Sequence, residues 1–429
     1  MERYNEYKDS GVQWLGEIPS HWDMLALKHI LKLRKKLVGK QSYKYDLLSL
    51  TLQGIIKRDI DNPTGKFPSS FDTYQEVNAG DFVFCNFDNE ETPRAVGLSE
   101  YKGMITGAYD VLSCKNSNLT NRYLIYYFLY IDDAKRFKPL YKGLRKTVPF
   151  DSFMSYKIPV PSIEEQQAIA FYLDTATAEI DEAIAQQKKM IDLLNERKQI
   201  IINNAVTKGL NPDAPMKDSG VEWIGEIPEH WVVRRMASLG VFSKGGGISR
   251  DNLLEEGEPA ILYGDIYTKY NYFAEDIKNH VSKKVALASV EVHKNELLMT
   301  GSGETKEDIG KTIVFLGNKA YAGGDVIIFK QDNNNSSFLS YALNSSYAKN
   351  FRYKESKGEI VVHIYANAVR QLYLALPDIT EQNSIVEYLN NKVGIIDSEI
   401  CVVRKQISLL QERKQIIIND VVTGKVKVS

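Results

Sequence analysis

Four short patterns in the chain carry residue types that enzymes use, and each lacks a partner its chemistry requires. Gly310-Lys311-Thr312 supplies the lysine and hydroxyl that close a phosphate-binding P-loop. That loop also needs a glycine five residues before Gly310, where the chain has Thr305. Asp276-Ile277-Lys278 fits the acid-x-lysine pattern of many nucleases, with no second acid identifiable beside it. Asn62-Pro63-Thr64 and Asn211-Pro212-Asp213 begin like the Asn-Pro-Pro-aromatic motif of a methyltransferase, and neither goes on to the second proline and the aromatic ring. The 6 histidines are scattered, and Cys85, Cys114 and Cys401 form no CxxC pair. A zinc site is therefore not expected, and the free thiols suit a reducing cytosol. The expectation is a chain without catalysis or a metal of its own.

Composition sets the class in which such a chain must work. At 429 residues, 43% hydrophobic and 25% charged, it exceeds a single core and reads as two or more folded units. It has no apolar run of about 18 residues and begins with a polar segment, so a cytoplasmic chain without a membrane span is expected. The net charge of −1 and pI near 6.6 give no general basic footprint. A partner such as nucleic acid would have to be met by local positive charge, or by charge borrowed from other subunits.

The elements that organise the chain come in pairs. Lys8–Trp22 reads KDSGVQWLGEIPSHW, and Lys217–Trp231 reads KDSGVEWIGEIPEHW, 209 residues later. Pro161–Thr207 matches Pro377–Thr423 at an offset of 216 residues, both segments carrying an ERKQIIIN run. The chain is a tandem duplication in which the ends of each copy repeat while the middles, about 23–157 and 232–373, have diverged. All 4 tryptophans, Trp14, Trp22, Trp223 and Trp231, lie in the short motifs, where packing anchors against the helices are expected.

The long similar segments read as helices. Each starts after a proline with Ser162 or Asp378 as N-cap and Glu165 or Glu381 three residues on, as in a capping box. Leu389, Val393, Ile396, Ile400, Val403, Ile407, Leu410 and Ile417 hold the spacing of a heptad seam. Leu173, Ile180, Ile184, Ile191, Leu194 and Ile201 hold the matching places in the first copy, interrupted by Thr177, Gln187 and Lys198. The 42 residues from Gln166 to Thr207 make a rod of roughly 60 Å. A rod with one apolar stripe needs a partner, so the two helices are expected to pair antiparallel, the alternative being that each lies on its own domain. The diverged middles read as mixed α/β. Strands are predicted at Ala260–Tyr263, Thr312–Phe315, Val326–Phe329, Asp81–Asn86 and Val111–Cys114, and a helix at Arg122–Tyr130.

The SGVxWxGEIPxHW motif, a variable domain, a proline and a long helix ending in ERKQIIIN, in that order and twice, resemble the specificity subunits of type I restriction-modification enzymes. The resemblance covers nearly the whole chain. It implies an α+β fold with two mixed α/β target-recognition domains separated by two long antiparallel coiled-coil spacer helices, in an internal pseudo-twofold repeat. The segments would be 1–157 (first recognition domain with its Trp motif), 158–210 (first spacer helix), 211–373 (second domain with the repeated motif) and 374–429 (second spacer helix). Each domain would read half of a split, asymmetric site in double-stranded DNA. Two methyltransferase subunits would dock on the helices, and restriction/translocase subunits would join them. S-adenosylmethionine, ATP and magnesium would be used by those other subunits and not bound by this chain.

Candidate DNA contacts follow from the same resemblance. Ser243-Lys244-Gly245-Gly246-Gly247-Ile248-Ser249-Arg250 is similar to a glycine-rich loop of these domains, with donors suited to phosphate. Gly301-Ser302-Gly303-Glu304-Thr305-Lys306 resembles a second loop, with Glu304 opposing a phosphate there. Just before the spacer helices, Lys142, Arg145 and Lys146 cluster in one copy, and Lys354, Lys357 and His363 in the other. A solvated charged face is the plain alternative. In the first domain Gly39-Lys40-Gln41-Ser42 stands near the place of the triple glycine. The rival reading is a coiled-coil adaptor whose duplicated domains bind proteins without DNA specificity, and near-neutral charge favours it.

Overall fold

The computed structural model describes residues 2–60 and 68–428. Asn62-Pro63-Thr64 lies outside them. The chain forms two compact units, Met1–Lys188 with Arg404–Ser429, and Lys189–Val403. Two helices pass from one unit to the other, Ile163–Lys208 with 46 residues and Ile379–Val422 with 44, so each unit holds one mixed α/β domain and half of each helix.

Within each unit the two half-helices run antiparallel. In the first, Asp181 accepts an ion pair from Lys414 at 2.6 Å. In the second, Lys198 pairs with Asp397 at 2.6 Å. These are the same pair exchanged by the 216-residue repeat. Lys198, which interrupts the apolar seam in sequence, is thus neutralised where it meets its neighbour. Leu173, Ile180, Ile184, Leu194, Leu389, Val393, Ile396 and Ile400 are buried as the heptad spacing predicts. Ile191, Ile201, Val403, Ile407, Leu410 and Ile417 are only half-buried, Ile191 and Ile201 still packing on the seam cluster of Leu194, Ile396 and Ile400. Towards the C-terminal ends burial moves on by one residue, to Ile202 and Ile418. A 3.6-residue helix drifts by about 20° per heptad against a 3.5 repeat, so its buried face rotates unless it supercoils. Here the rotated ends, Ala205-Val206 and Val421-Val422, lie in the domain cores. The helices therefore pair at mid-length and pack on domains at their ends, combining the two expected arrangements.

The two diverged domains share one topology. In the first, one sheet has the order Gly54–Arg58, Leu47–Thr51, Gly103–Ile105, Gln75–Val77, paired antiparallel, parallel, antiparallel. The second domain repeats this as Asn279–Val281, Glu258–Ile261, Lys319–Ala322, Val290–His293 with the same senses, plus an edge strand Leu253–Leu254. The other sheet of the first domain, Leu31–Leu33, Asp110–Cys114, Phe82–Phe84, Val96–Leu98, is wholly antiparallel. It recurs as Val241–Lys244, Val326–Lys330, Leu297–Thr300, Thr312–Phe315, again with one added strand, Phe273–Ala274. Alternating apolar residues and β-branched runs set these strands, and a strand pair in parallel needs the longer crossover that each domain supplies. The predicted strands fall within this scheme, except that Tyr263 opens a short helix instead of ending a strand. The predicted aromatic helix is Asn121–Asp133, capped by Thr120.

Each domain leaves and rejoins the frame on adjacent strands, Asp23–Ala26 against Lys157–Val160 and Val232–Arg235 against Tyr373–Leu376. No helix among the described residues is long and apolar enough to cross a membrane.

Candidate nucleic-acid interface

The frame that presents the recognition loops is built from the repeated motifs. Trp22 and Trp231 are fully buried, each in a core closed by the start of one long helix and the end of the other. Their indole N–H groups donate to the capping glutamates, Trp22 to Glu165 at 3.4 Å and Trp231 to Glu381 at 3.1 Å. His21 and His230 bond the same carboxylates at 3.0 and 2.8 Å. The first helix keeps the reciprocal capping box, since the Ser162 amide donates to Glu165 and the Glu165 amide to Ser162. In the second the Glu381 amide donates to Asp378. Trp14 and Trp223 correct the expectation for the motif. They pack on domain aromatics, Trp14 stacked on Tyr156 and Trp223 against Phe351, and Trp223 is exposed.

A second link escaped the sequence reading. Gln166 and Gln382 are buried polar residues that repeat in both copies. Each accepts from the backbone N–H of a domain-helix N-cap, Thr120 or Asn335, at 2.9 Å. Each also donates to the carbonyl of the proline before its own helix, at 3.0 Å. The signal was their repetition at a core-facing position, where an unpaired amide would be costly.

In the second domain the structure brings the two glycine-bearing loops together. Lys244, Ser249, Arg250, Glu304 and Thr305 line one cavity of about 930 Å³. The glycines serve the domain itself. A Cβ on Gly245 would lie 2.3 Å from the Gly323 carbonyl, and Gly247 has φ +77. The Gly245 and Gly246 amides already donate to Val326 and Ala322 at 2.9 and 3.0 Å. These two amides are therefore spent within the domain. Lys244 faces Asp325 at 3.5 Å, while Arg250 is exposed at the cavity with no ion pair among the described residues. Lys306 is outside the lining.

The third cluster joins the second loop directly. Lys357 and His363 form a backbone bridge, Val362 pairs with Gly303, and the Ser302 hydroxyl bonds His363 Nδ1 at 2.8 Å. Lys354 is exposed in the last turn of Ser346–Glu355. In the first domain Lys142 and Thr147 form the equivalent bridge. Two of its three cations are compensated, while Lys142 is exposed with no ion pair among the described residues. Arg145 donates to both Asp88 oxygens at 3.1 Å, and Lys146 pairs with Glu90 and with Glu91, the latter at 2.7 Å. The hydrogen bond from Arg145 holds the Asp88 carboxyl below its usual range, and that from Lys146 does the same for Glu90. Gly39 and Lys40 open the short 3-10 segment Gly39–Lys44 behind the buried Val38, as Ser249 and Arg250 follow the buried Ile248 into Arg250–Asn252. The shared position in the topology supports their correspondence.

The patterns set aside as chemistry have structural roles. Lys311 donates to the Tyr270 carbonyl at 2.7 Å, and Thr312 begins a buried strand. Gly310 has φ +74, and a Cβ there would lie 2.4 Å from the side chain of Arg352. Arg352 is fully buried on the carbonyls of Ile309 and Leu343, and burial pushes its pKa down to about 10. Asp276 and Lys278 pair with each other on the surface, and Asn211 caps a turn through the Asp213 amide. Among the described residues no three His, Cys, Asp or Glu side chains stand together as metal ligands.

Residues 98–191 match the family described as the type I restriction modification DNA specificity domain. The chain is 27% identical over 441 residues to the putative type I restriction enzyme MjaX specificity subunit of Methanocaldococcus jannaschii, covering 96% of each. It is 26% identical over 336 residues to the MjaVIII specificity subunit of the same organism, covering 76% of this chain and 75% of that one. A solved structure described as "Structural basis underlying complex assembly and conformational transition of the type I R-M system" shares the fold, with TM-score 0.66, 13% identity, and coverage of 95% of this chain and 99% of that one. In sequence, along nearly its whole length, the chain resembles the specificity subunits of type I restriction-modification enzymes, and it shares its fold with a chain of a type I R-M structure.

Proposed function

We propose that this chain is the non-catalytic, sequence-reading subunit of a type I restriction-modification complex, acting in the cytoplasm on a bipartite, asymmetric DNA site. The observation that carries the reading is one frame and one topology holding two differently furnished loop sets, as two readers of two unlike half-sites require. The ion pairs of Arg145 and Lys146 and the net charge of −1 are in keeping with partner subunits supplying part of the phosphate contact.

Two methyltransferase subunits are the proposed partners on the helix pair. In the second unit Leu193, Ile200, Tyr388, Ile395 and Val402 are exposed, and in the first Leu409 and Ile416 are, all at heptad spacing outside the buried seam. Restriction/translocase subunits complete the complex. In this reading S-adenosylmethionine, ATP and magnesium would be used by those other subunits; that the Lys311 ammonium bonds a carbonyl of this chain's own fold is in keeping with it.

The test is to map host methylation with and without the gene, then titrate the assembled complex against DNA of varied sequence and salt. Loss of one bipartite methylation pattern and sequence-selective retention are expected. Absence of DNA binding even at low salt would turn the reading towards a protein adaptor. Native mass spectrometry should find two methyltransferase subunits per chain.

A further inference from the structure

We propose that Leu144 and Ile360 are a pair of aliphatic wedges, one per recognition domain, that insert between base pairs of the bound half-sites. The proposal rests on the DNA-reading function above and adds a mode of engagement to it.

Leu144 is 104% exposed and Ile360 90% exposed, the two most exposed of the large apolar side chains among the described residues. They occupy the same place in two domains whose sequences have otherwise diverged, the turn of a short hairpin just ahead of the spacer helix. Each hairpin is held at its base. The Lys142 and Thr147 amides exchange bonds of 2.9 and 3.0 Å, and those of Lys357 and His363 bonds of 2.9 and 2.8 Å. Each is also tied to the end of a central strand, Val148 to the Asn86 carbonyl at 2.8 Å and Ile364 to that of Gly301 at 3.0 Å. A glycine makes each turn: Gly143 at φ +68, and Gly358 at φ +105, where a Cβ would lie 2.1 Å from the Val361 carbonyl. The fold thus fixes an aliphatic side chain in water twice, leaving its transfer free energy to be gained from something else.

The surroundings favour nucleic acid over protein as that occupant. Planar rings stand beside each tip. Phe87 stacks on Tyr109 with Arg145 4.6 Å over its face, and His363 stacks on Tyr365, which is exposed. Lys142 and Lys357, both exposed, flank the tips. Rings, cations and a narrow aliphatic tip, Leu144 alone in one domain and Ile360 with the half-exposed Val361 in the other, suit a splayed base step, into which Leu and Ile are known to wedge. A protein-docking face would need a broad contiguous apolar patch, and one or two aliphatic residues make a small one.

The experiment uses the complex of the full chain with its methyltransferase partner, without S-adenosylmethionine, on duplexes carrying the mapped site. Unstacking is read by permanganate reactivity of thymines and by 2-aminopurine placed at successive positions. The wild type should show an unstacked step in each half-site. Leu144→Ser should abolish one only and Ile360→Ser the other only, each with about a ten- to hundredfold loss of affinity. Leu144→Met and Ile360→Met should restore both readouts, and the tips' exposure leaves folding untouched in all four variants. Selective binding by the serine variants with affinity and unstacking unchanged would overturn the wedges and leave the DNA reading standing. Loss of the methyltransferase subunit from the serine variants would identify the tips as protein contacts and also overturn them. A wild-type complex with no sequence selectivity would overturn the DNA reading, and the wedges with it.

Discussion

The two recognition domains carry the same strands in the same order and spend their charges differently. In the first, Arg145 and Lys146 of the hairpin are met by Asp88, Glu90 and Glu91, and only Lys142 is left without an ion pair among the described residues. In the second, Lys354 and Lys357 have no such partners among the described residues, and Arg250 is unpaired at a cavity that draws two loops together. The frame shows the opposite behaviour: the Trp–Glu and Gln–cap bonds recur nearly atom for atom. Packing constraints therefore act on the frame, while the loop sets are free to differ, as the proposed function requires.

The largest effect should come from exchange of a whole reader. Replacing residues 232–373 with the matching domain of a relative should replace one half of the methylated sequence and leave the other half intact, as read by methylation sequencing. A change in both halves would break the comparison between frame and readers. Removing a buried tryptophan comes next. Trp22→Ala and Trp231→Ala should each cost about 3–5 kcal/mol in denaturant unfolding. Trp223→Ala, at an exposed ring, should cost about 1 kcal/mol or less. Equal losses at Trp223 and Trp231 would show that the whole motif, and not only its last residue, anchors the helix.

The glutamine clamps offer a finer measure. Gln166→Leu and Gln382→Leu each leave an N-cap amide and a proline carbonyl unpaired, at about 1–3 kcal/mol. The two losses should agree to within about 0.5 kcal/mol if the copies are equivalent. A silent Gln382→Leu with a damaging Gln166→Leu would mean that only one clamp is under load.

The smallest effect should be confined to the first hairpin. The Asp88 and Glu90 carboxyls titrate below their usual range in the folded chain. Their contribution is therefore present above the ordinary carboxylate pKa and is lost as pH falls through the lowered values. Amide-exchange protection at Lys142 and Thr147, corrected for intrinsic rates, should drop below about pH 4. Unchanged protection would show that the backbone bridge holds the hairpin without its ion pairs.

Much of the frame was legible because repetition marks it. The Trp motif, the capping glutamates and the seam all stand out when residues 8–22 and 161–207 are laid over their copies. The burial shift to Ile202 and Ile418 was not legible, since it depends on where a domain core meets the helix. The shared topology of the readers was hidden for a related reason. Strand order is set by pairing among distant segments, and core positions accept many apolar residues of similar volume. Of the site, the glycine loops and the hairpin cations were found by residue type, but their partners were not. Gly245 and Gly247 are required by neighbouring carbonyls far along the chain, and Lys146 is neutralised from a loop some fifty-five residues away. The exposed tips went unnoticed because an isolated Leu, or an Ile that starts a short apolar run, has no periodicity that marks it as exposed.

The adjacent strands on which each domain leaves and rejoins the frame bear on how such a chain can change. At Asp23–Ala26 against Lys157–Val160, and at Val232–Arg235 against Tyr373–Leu376, the backbone going out and the backbone coming back are hydrogen-bonded neighbours. Whatever is spliced between them begins and ends at one fixed place, so the ladder itself sets no limit on the insert's length. A crossover between genes at these two ladders delivers an already closed module. On the function proposed above, one recombination event would then bring a new target word, provided the incoming domain keeps the caps that Gln166 and Gln382 bind.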